Sequence, residues 1–168
     1  KIEQLLRLFF IARGQAGESA SETDIALLLR EIGHNAQRKA DAKSGSKQVA
    51  VEVPETLVIA VRPNAFRRCV MNLVENAVRH GNQVRVSADE QSHVLDVIVD
   101  DDGPGIPAER REEAFRPFHR LDSGRSLVTG GAGLGLAIAR DIARGHGGDI
   151  LLEDSPLGGL RAVLRLPV

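Results

Sequence analysis

Apolar residues recur at helical spacing over residues 1–13, where Ile2, Leu5, Leu6, Phe9 and Phe10 form a stripe that Leu8 and Ile11 widen. A helix with so broad an apolar surface packs on a partner, either its own domain or another chain. Residues 14–21 are rich in Gly, Ala and Ser and read as a linker. Ser21-Glu22-Thr23-Asp24 then reads as the opening of a second helix, carrying Leu27, Leu28, Leu29 and Ile32 to about Ala40. Residues 49–53 and 57–61 read as strands joined by Pro54-Glu55-Thr56. Pro63 and Asn64 lead into a long helix to about His80, with Phe66, Cys69, Val70, Leu73, Val74 and Ala77 on its buried face. Strands follow at 83–88 and 93–100. Beyond them lie a Gly-punctuated stretch over 103–131, a helix over about 134–145, and strands near 149–153 and 160–166.

Hairpin-like strand pairs replace the regular alternation that a doubly wound parallel sheet needs. The order therefore predicts an α/β two-layer sandwich, a mixed sheet with helices on one face and a helical appendage at the N-terminus. Composition adds little to this. With five Phe and no Trp or Tyr, the core has to be built from Leu, Val, Ile and Ala. A net charge of -1 gives no pull toward nucleic acid or an anionic membrane, so no nucleic-acid partner is expected. The lone Cys69 has no disulfide partner and no metal-ligand spacing with any His; it reads as a small helix-face residue in a chain suited to a reducing cytosol. No apolar run in these residues reads as long enough to span a bilayer, and none reads as a signal peptide. The chain opens at Lys1 in mid-helix, as expected of a piece of a longer protein.

Three segments carry candidate chemistry. Asn72 and Asn76, four residues apart in Asn72-Leu73-Val74-Glu75-Asn76, project from one helix face. They are either two solvated amides or a pair in which Asn76 offers a carbonyl oxygen to Mg²⁺, with Arg79 along the same edge reaching a phosphate. Asp100-Asp101-Asp102-Gly103-Pro104-Gly105-Ile106 closes a strand. It is either a solvated turn or a carboxylate aimed into a pocket, where it accepts a hydrogen bond from an adenine amino group. Gly130-Gly131-Ala132-Gly133-Leu134-Gly135-Leu136 runs straight into a helix and can present backbone N–H groups to an anion. No Lys-Ser/Thr follows these glycines, so the segment is not a P-loop.

In that order and on those elements, N-x-x-x-N, D-x-G-x-G and G-x-G-x-G resemble the GHKL ATPase superfamily. Phe115-Arg116-Pro117-Phe118 resembles the F box of sensor histidine kinases, and residues 133–138 resemble their second glycine box. The likeness covers about residues 47–168 and is nearest to the osmosensor-type kinases of proteobacteria. It implies a Bergerat ATP-binding fold over 21–168, with residues 1–20 the remnant of a dimerisation helix and its linker. It implies ATP and Mg²⁺ as ligands. Asp101 would bind adenine; Gly103, Gly105 and Ile106 would shape the base site; Asn76 would hold Mg²⁺. Asn72, Arg79, His80, Gly131, Gly133, Leu134, Gly135 and Leu136 would lie about the phosphates, and residues 106–132 would form an ATP lid anchored by Phe115 and Phe118. Asp100 and Asp102 read as solvated or structural. Ala132 stands where many members carry a hydroxyl, a loss of about 1 kcal/mol of binding.

The likeness also implies a mechanism. ATP-hydrolysing members place a Glu four residues before the Mg²⁺-binding Asn, as base for water; here that residue is Asn72, so ATP is held for transfer and hydrolysis is slow. The acceptor would be a histidine of a dimerisation domain, the relay a response-regulator aspartate, and the parent a homodimer in the bacterial inner membrane with this domain in the cytoplasm. None of His34, His80, His93, His119 or His146 lies in the acceptor context of such kinases. A serine kinase acting on a protein antagonist and a degenerate nucleotide-binding module are the alternatives.

Overall fold

The computed structural model describes residues 17–43, 45–117 and 133–168. The helix expected over 1–13 lies outside them. Five strands form the main sheet in the order β2-β4-β5-β7-β6: β2 (Gln48–Glu52), β4 (Gln83–Gln91), β5 (Val94–Asp101), β6 (Asp149–Asp154) and β7 (Leu160–Pro167). β2 runs parallel to β4 and every other neighbouring pair is antiparallel, so the sheet is mixed. Helices α1 (Ile25–Lys43), α2 (Pro63–His80) and α3 (Gly135–Gly145) supply the second layer.

The alternation along each strand explains the layering. Val84 and Val86, then Leu95, Val97 and Val99, then Ala162, Leu164 and Leu166, are buried on the helix side. On α2 the buried residues are Ala65, Phe66, Cys69, Val70, Leu73, Val74 and Ala77, the stripe that helical periodicity marks. The opposite sheet face carries cross-strand ion pairs. Arg161 holds Asp100 through two bonds of 2.8 and 3.0 Å, and Arg165 holds Asp96 at 2.8 and 2.9 Å.

Two expectations fail, both through pairing between distant segments. Ser21–Asp24 is not the first turn of a helix but a strand, β1, antiparallel to β3 (Val58–Val61) in a separate two-stranded sheet. The helix starts at Ile25, and Asp24 rather than Ser21 accepts the capping bond, from the Ala26 amide at 3.1 Å. The strands around Pro54 do not pair with each other either. β2 enters the main sheet while β3 pairs with β1, and Arg30 of α1 grips the carbonyls of Pro54 and Glu55 between them. His34 lies within α1, which continues to Lys43.

Among the described residues the largest fully buried side chain is Phe66 on α2. Phe66→Ala is expected to destabilise the domain by about 3–5 kcal/mol, read as a lower urea midpoint at unchanged slope.

Candidate nucleotide site

The three consecutive aspartates have three different fates. Alternation sends Asp100 to the open sheet face, where it is fully buried between Arg161 and Arg85. Burial works against its charge, but hydrogen bonds from Arg161 and Ser155 and the two guanidinium charges hold its carboxyl below the usual range. Asp100 is thus structural and not solvated. Asp102 lies past the strand end, where its Oδ1 accepts the Asn82 and Gln83 amides at 2.7 and 2.9 Å. Those bonds lower its pKa.

Asp101 points to the helix side and is 2% exposed. Its Oδ1 accepts two backbone amides, from Gly103 at 2.9 Å and Leu160 at 3.1 Å. Burial pushes its pKa up, against those two bonds and the nearby His80. The backbone closes tightly around it. A Cβ on Gly103 would lie 2.7 Å from the carbonyl oxygen of His80, so the end of α2 rests directly on this turn. A Cβ on Gly159 would lie 2.3 Å from Asp101 Oδ1 and 2.5 Å from the Gly103 nitrogen. Gly105 takes the left-handed conformation at φ +69, facing the Gly159 carbonyl, and Ile106 follows, half-buried.

Gly159 is the residue that local reading misses. In sequence it is the second glycine of a strand-joining turn; only the pairing of β5 with β7 brings it onto Asp101. Its signal was the doubled glycine in Ser155-Pro156-Leu157-Gly158-Gly159, one more than a simple turn requires.

Asn72 and Asn76 lie partly buried on α2, and Asn72 is on the side of α3. The Asn72 Oδ1 faces Gly135, and its Nδ2 is buried with no hydrogen-bond partner among the described residues. A buried amide left in that state suits a site meant to receive a polar ligand. Arg79 and His80 are exposed at the C-terminal end of α2, beside the Asp101 turn. Gly133 has φ +73 and feeds Leu134 and α3, whose N-terminus has no side-chain cap. Leu134 and Leu136 are buried in the core, so what they can offer a ligand is backbone N–H. Gly131, Ala132 and Phe118 lie outside the described residues. Phe115 is buried under the Arg140 guanidinium, 4.1 Å from its ring centre. Cys69 is fully buried, with burial pushing its thiol pKa far up, an inert core residue.

The arrangement sets a buried carboxylate beside the C-terminal end of α2 and, further along the same helix, the Asn72 amide against a glycine-led helix start. Among the described residues no three His, Cys, Asp or Glu side chains gather to cage a metal. A single amide oxygen completed by substrate phosphates and water suits Mg²⁺, which seldom uses an all-protein cage.

Residues 61–168 match the family described as histidine kinase-, DNA gyrase B-, and HSP90-like ATPase. The chain belongs to this ATPase family. Within it, the chain is an ATP-binding catalytic domain of the sensor histidine kinase kind. The sensor histidine kinase CpxA of Escherichia coli is 45% identical over 107 residues, covering 63% of this chain and 23% of that protein. The sensor-type histidine kinase PrrB of Mycobacterium leprae is 36% identical over 160 residues, covering 93% of this chain and 34% of that protein. The chain thus spans about a quarter to a third of the length of these curated relatives. The crystal structure of the ATP-binding domain of PrrB from Mycobacterium tuberculosis superposes with a TM-score of 0.72 at 34% identity, covering 89% of this chain and 98% of that one. The histidine kinase domain of the Escherichia coli osmosensor EnvZ gives 0.62 at 34% identity, covering 92% of each. Among the described residues no helix is long and apolar enough to cross a membrane.

The raised pKa of Asp101 has a consequence in the ATP-free domain. Its folded-state pKa lies above the unfolded value, so its contribution to stability is greatest below the unfolded pKa and is lost as pH rises through the folded one. Asp101→Asn is therefore expected to raise the melting temperature of the ATP-free domain at neutral pH. The gain should shrink toward zero as the pH falls through the carboxylate range in a calorimetric series.

Proposed function

We propose that this domain transfers the γ-phosphoryl group of ATP to a histidine of a dimerisation domain outside residues 21–168, for relay to an aspartate of a response regulator. Asn72 carries the reading. Hydrolysing members of the superfamily use a carboxylate at this place to activate water, whereas an amide takes no proton. An imidazole needs no such base: its neutral ring nitrogen attacks the γ-phosphorus while the bond to the β-phosphate oxygen breaks and ADP leaves. The work left to the domain is positioning and charge neutralisation.

Asp101 accepts a hydrogen bond from the adenine amino group, with Gly103, Gly105 and Ile106 letting the base approach the backbone. Gly159 joins them as the residue that keeps Asp101 in place. Asn76 offers an amide oxygen to Mg²⁺, which when bound would neutralise phosphate charge. Asn72, Arg79 and His80 from α2, and Gly131, Gly133 and Gly135 with the backbone of Leu134 and Leu136, bracket the phosphates. Residues 106–132, with Phe118, form the ATP lid. Residues 1–20 belong to the dimerisation helix and its linker, and the parent is a homodimer anchored in the inner membrane with this domain in the cytoplasm.

Calorimetric titration should show ATP binding that Asp101→Asn largely removes. In Mg²⁺, Asn76→Ala should weaken binding by about tenfold or more, and without Mg²⁺ the two proteins should bind alike. Supplied with ATP alone, the domain should turn over slowly; supplied with its histidine-bearing partner, it should label the partner. No binding at millimolar ATP would sink the assignment.

A further inference from the structure

Glu18 lies in the stretch that reads as a linker, yet its carboxylate closes the N-terminus of α2. Its Oε2 accepts the Asn64 amide at 2.9 Å and its Oε1 the Ala65 amide at 3.0 Å. α2 has no cap of its own: Arg62 at the cap position makes no side-chain capping bond, and Pro63 opens the first turn. First-turn amides have no acceptor within their helix, and a carboxylate suits the positive end of the helix dipole. The helix that carries Asn72 and Asn76 is therefore capped by the linker.

A second tie lies beside the first. β1 begins three residues after Glu18, and its Ser21 pairs with Val61, the last residue of β3 before α2. The chain entering the domain is thus fastened to the start of α2 by a short ladder and by one carboxylate. Asn76 lies twelve residues beyond Asn64, about 18 Å along the helix axis. Asn72, eight residues beyond Asn64, lies about 12 Å along it, so the fastening and both amides share one rod.

We propose that Glu18 is a positioning residue. By latching the linker to α2, it sets the direction in which the upstream segment leaves the ATP-binding domain, and so the alignment of bound ATP with an acceptor carried upstream. The latch stands on the hydrogen bonds alone; its effect on transfer rests on the function proposed above.

The test compares Glu18→Ala and Glu18→Gln with the unaltered protein. In this chain, amide exchange by NMR should speed up at Asn64 and Ala65 by about fivefold in Glu18→Ala, the scale of a lost helix cap. Glu18→Gln, which keeps one acceptor oxygen, should fall between. ATP affinity should stay within about twofold, since Glu18 sits far from the amides. In the full-length kinase, the transfer rate at saturating ATP should change several-fold while the KM for ATP holds. Equal exchange at the two amides in all three proteins would overturn the latch, and KM moving in step with kcat would overturn the positioning role. Failure of the unaltered chain to bind ATP would overturn the functional reading instead, with the exchange arm still deciding the latch.

Discussion

At the end of β5 three backbone segments approach more closely than side chains permit. The His80 carbonyl at the end of α2, the Asp101–Gly103 turn, and Gly159 at the start of β7 meet where an added Cβ would lie 2.3 to 2.7 Å from its neighbours. This contact joins the helix layer to the sheet at the point where Asp101 sits. It also keeps Asp101 out of water while supplying two backbone amides to one of its oxygens. A carboxylate held in this way is costly to ionise. Keeping Asp101 buried there is stability that the ATP-free domain forgoes.

α2 carries that contact on toward α3. Its buried stripe sets its rotation against the sheet, and neighbouring segments hold its termini. His146 at the end of α3 accepts the Arg62 amide through Nε2, while its Nδ1 pairs with the Ile142 carbonyl, which puts the ring proton on Nδ1. At the other end Lys47 Nζ donates to the carbonyls of Val78 and Gly81. Fixed at both ends and packed along α3, α2 presents Asn72 to the glycine-led start of that helix.

The open sheet face does separate work. Asp96–Arg165 and Asp100–Arg161 bridge β5 and β7 directly across the ladder. Opposite charges facing across strands favour one register over a slipped one. That register brings Leu160 and Gly159 to Asp101. Arg140 plays a similar part on the helix side, joining Glu112, Asp149 and the Phe115 ring around the base of α3.

Much of this was written in local pattern. The stripe of α2, the buried face of α3, the strand alternation and the order of the asparagine, aspartate and glycine segments follow from side-chain chemistry at fixed spacing. They were enough to set the layers and the family. What the chain alone left undecided is non-local. Ser21–Asp24 has a helix-start pattern but gains more from pairing with β3. The segments around Pro54 look like partners yet find separate sheets. Three adjacent aspartates are chemically identical until alternation and register give one to arginines, one to the buried turn at Gly103 and Leu160, and one to the amides of Asn82 and Gln83. Gly159 was an ordinary turn glycine until β7 settled beside β5. Local sequence determines which face of an element is apolar; only the closed sheet decides which backbone lies against which, because that choice depends on hydrogen-bond partners far away in the chain.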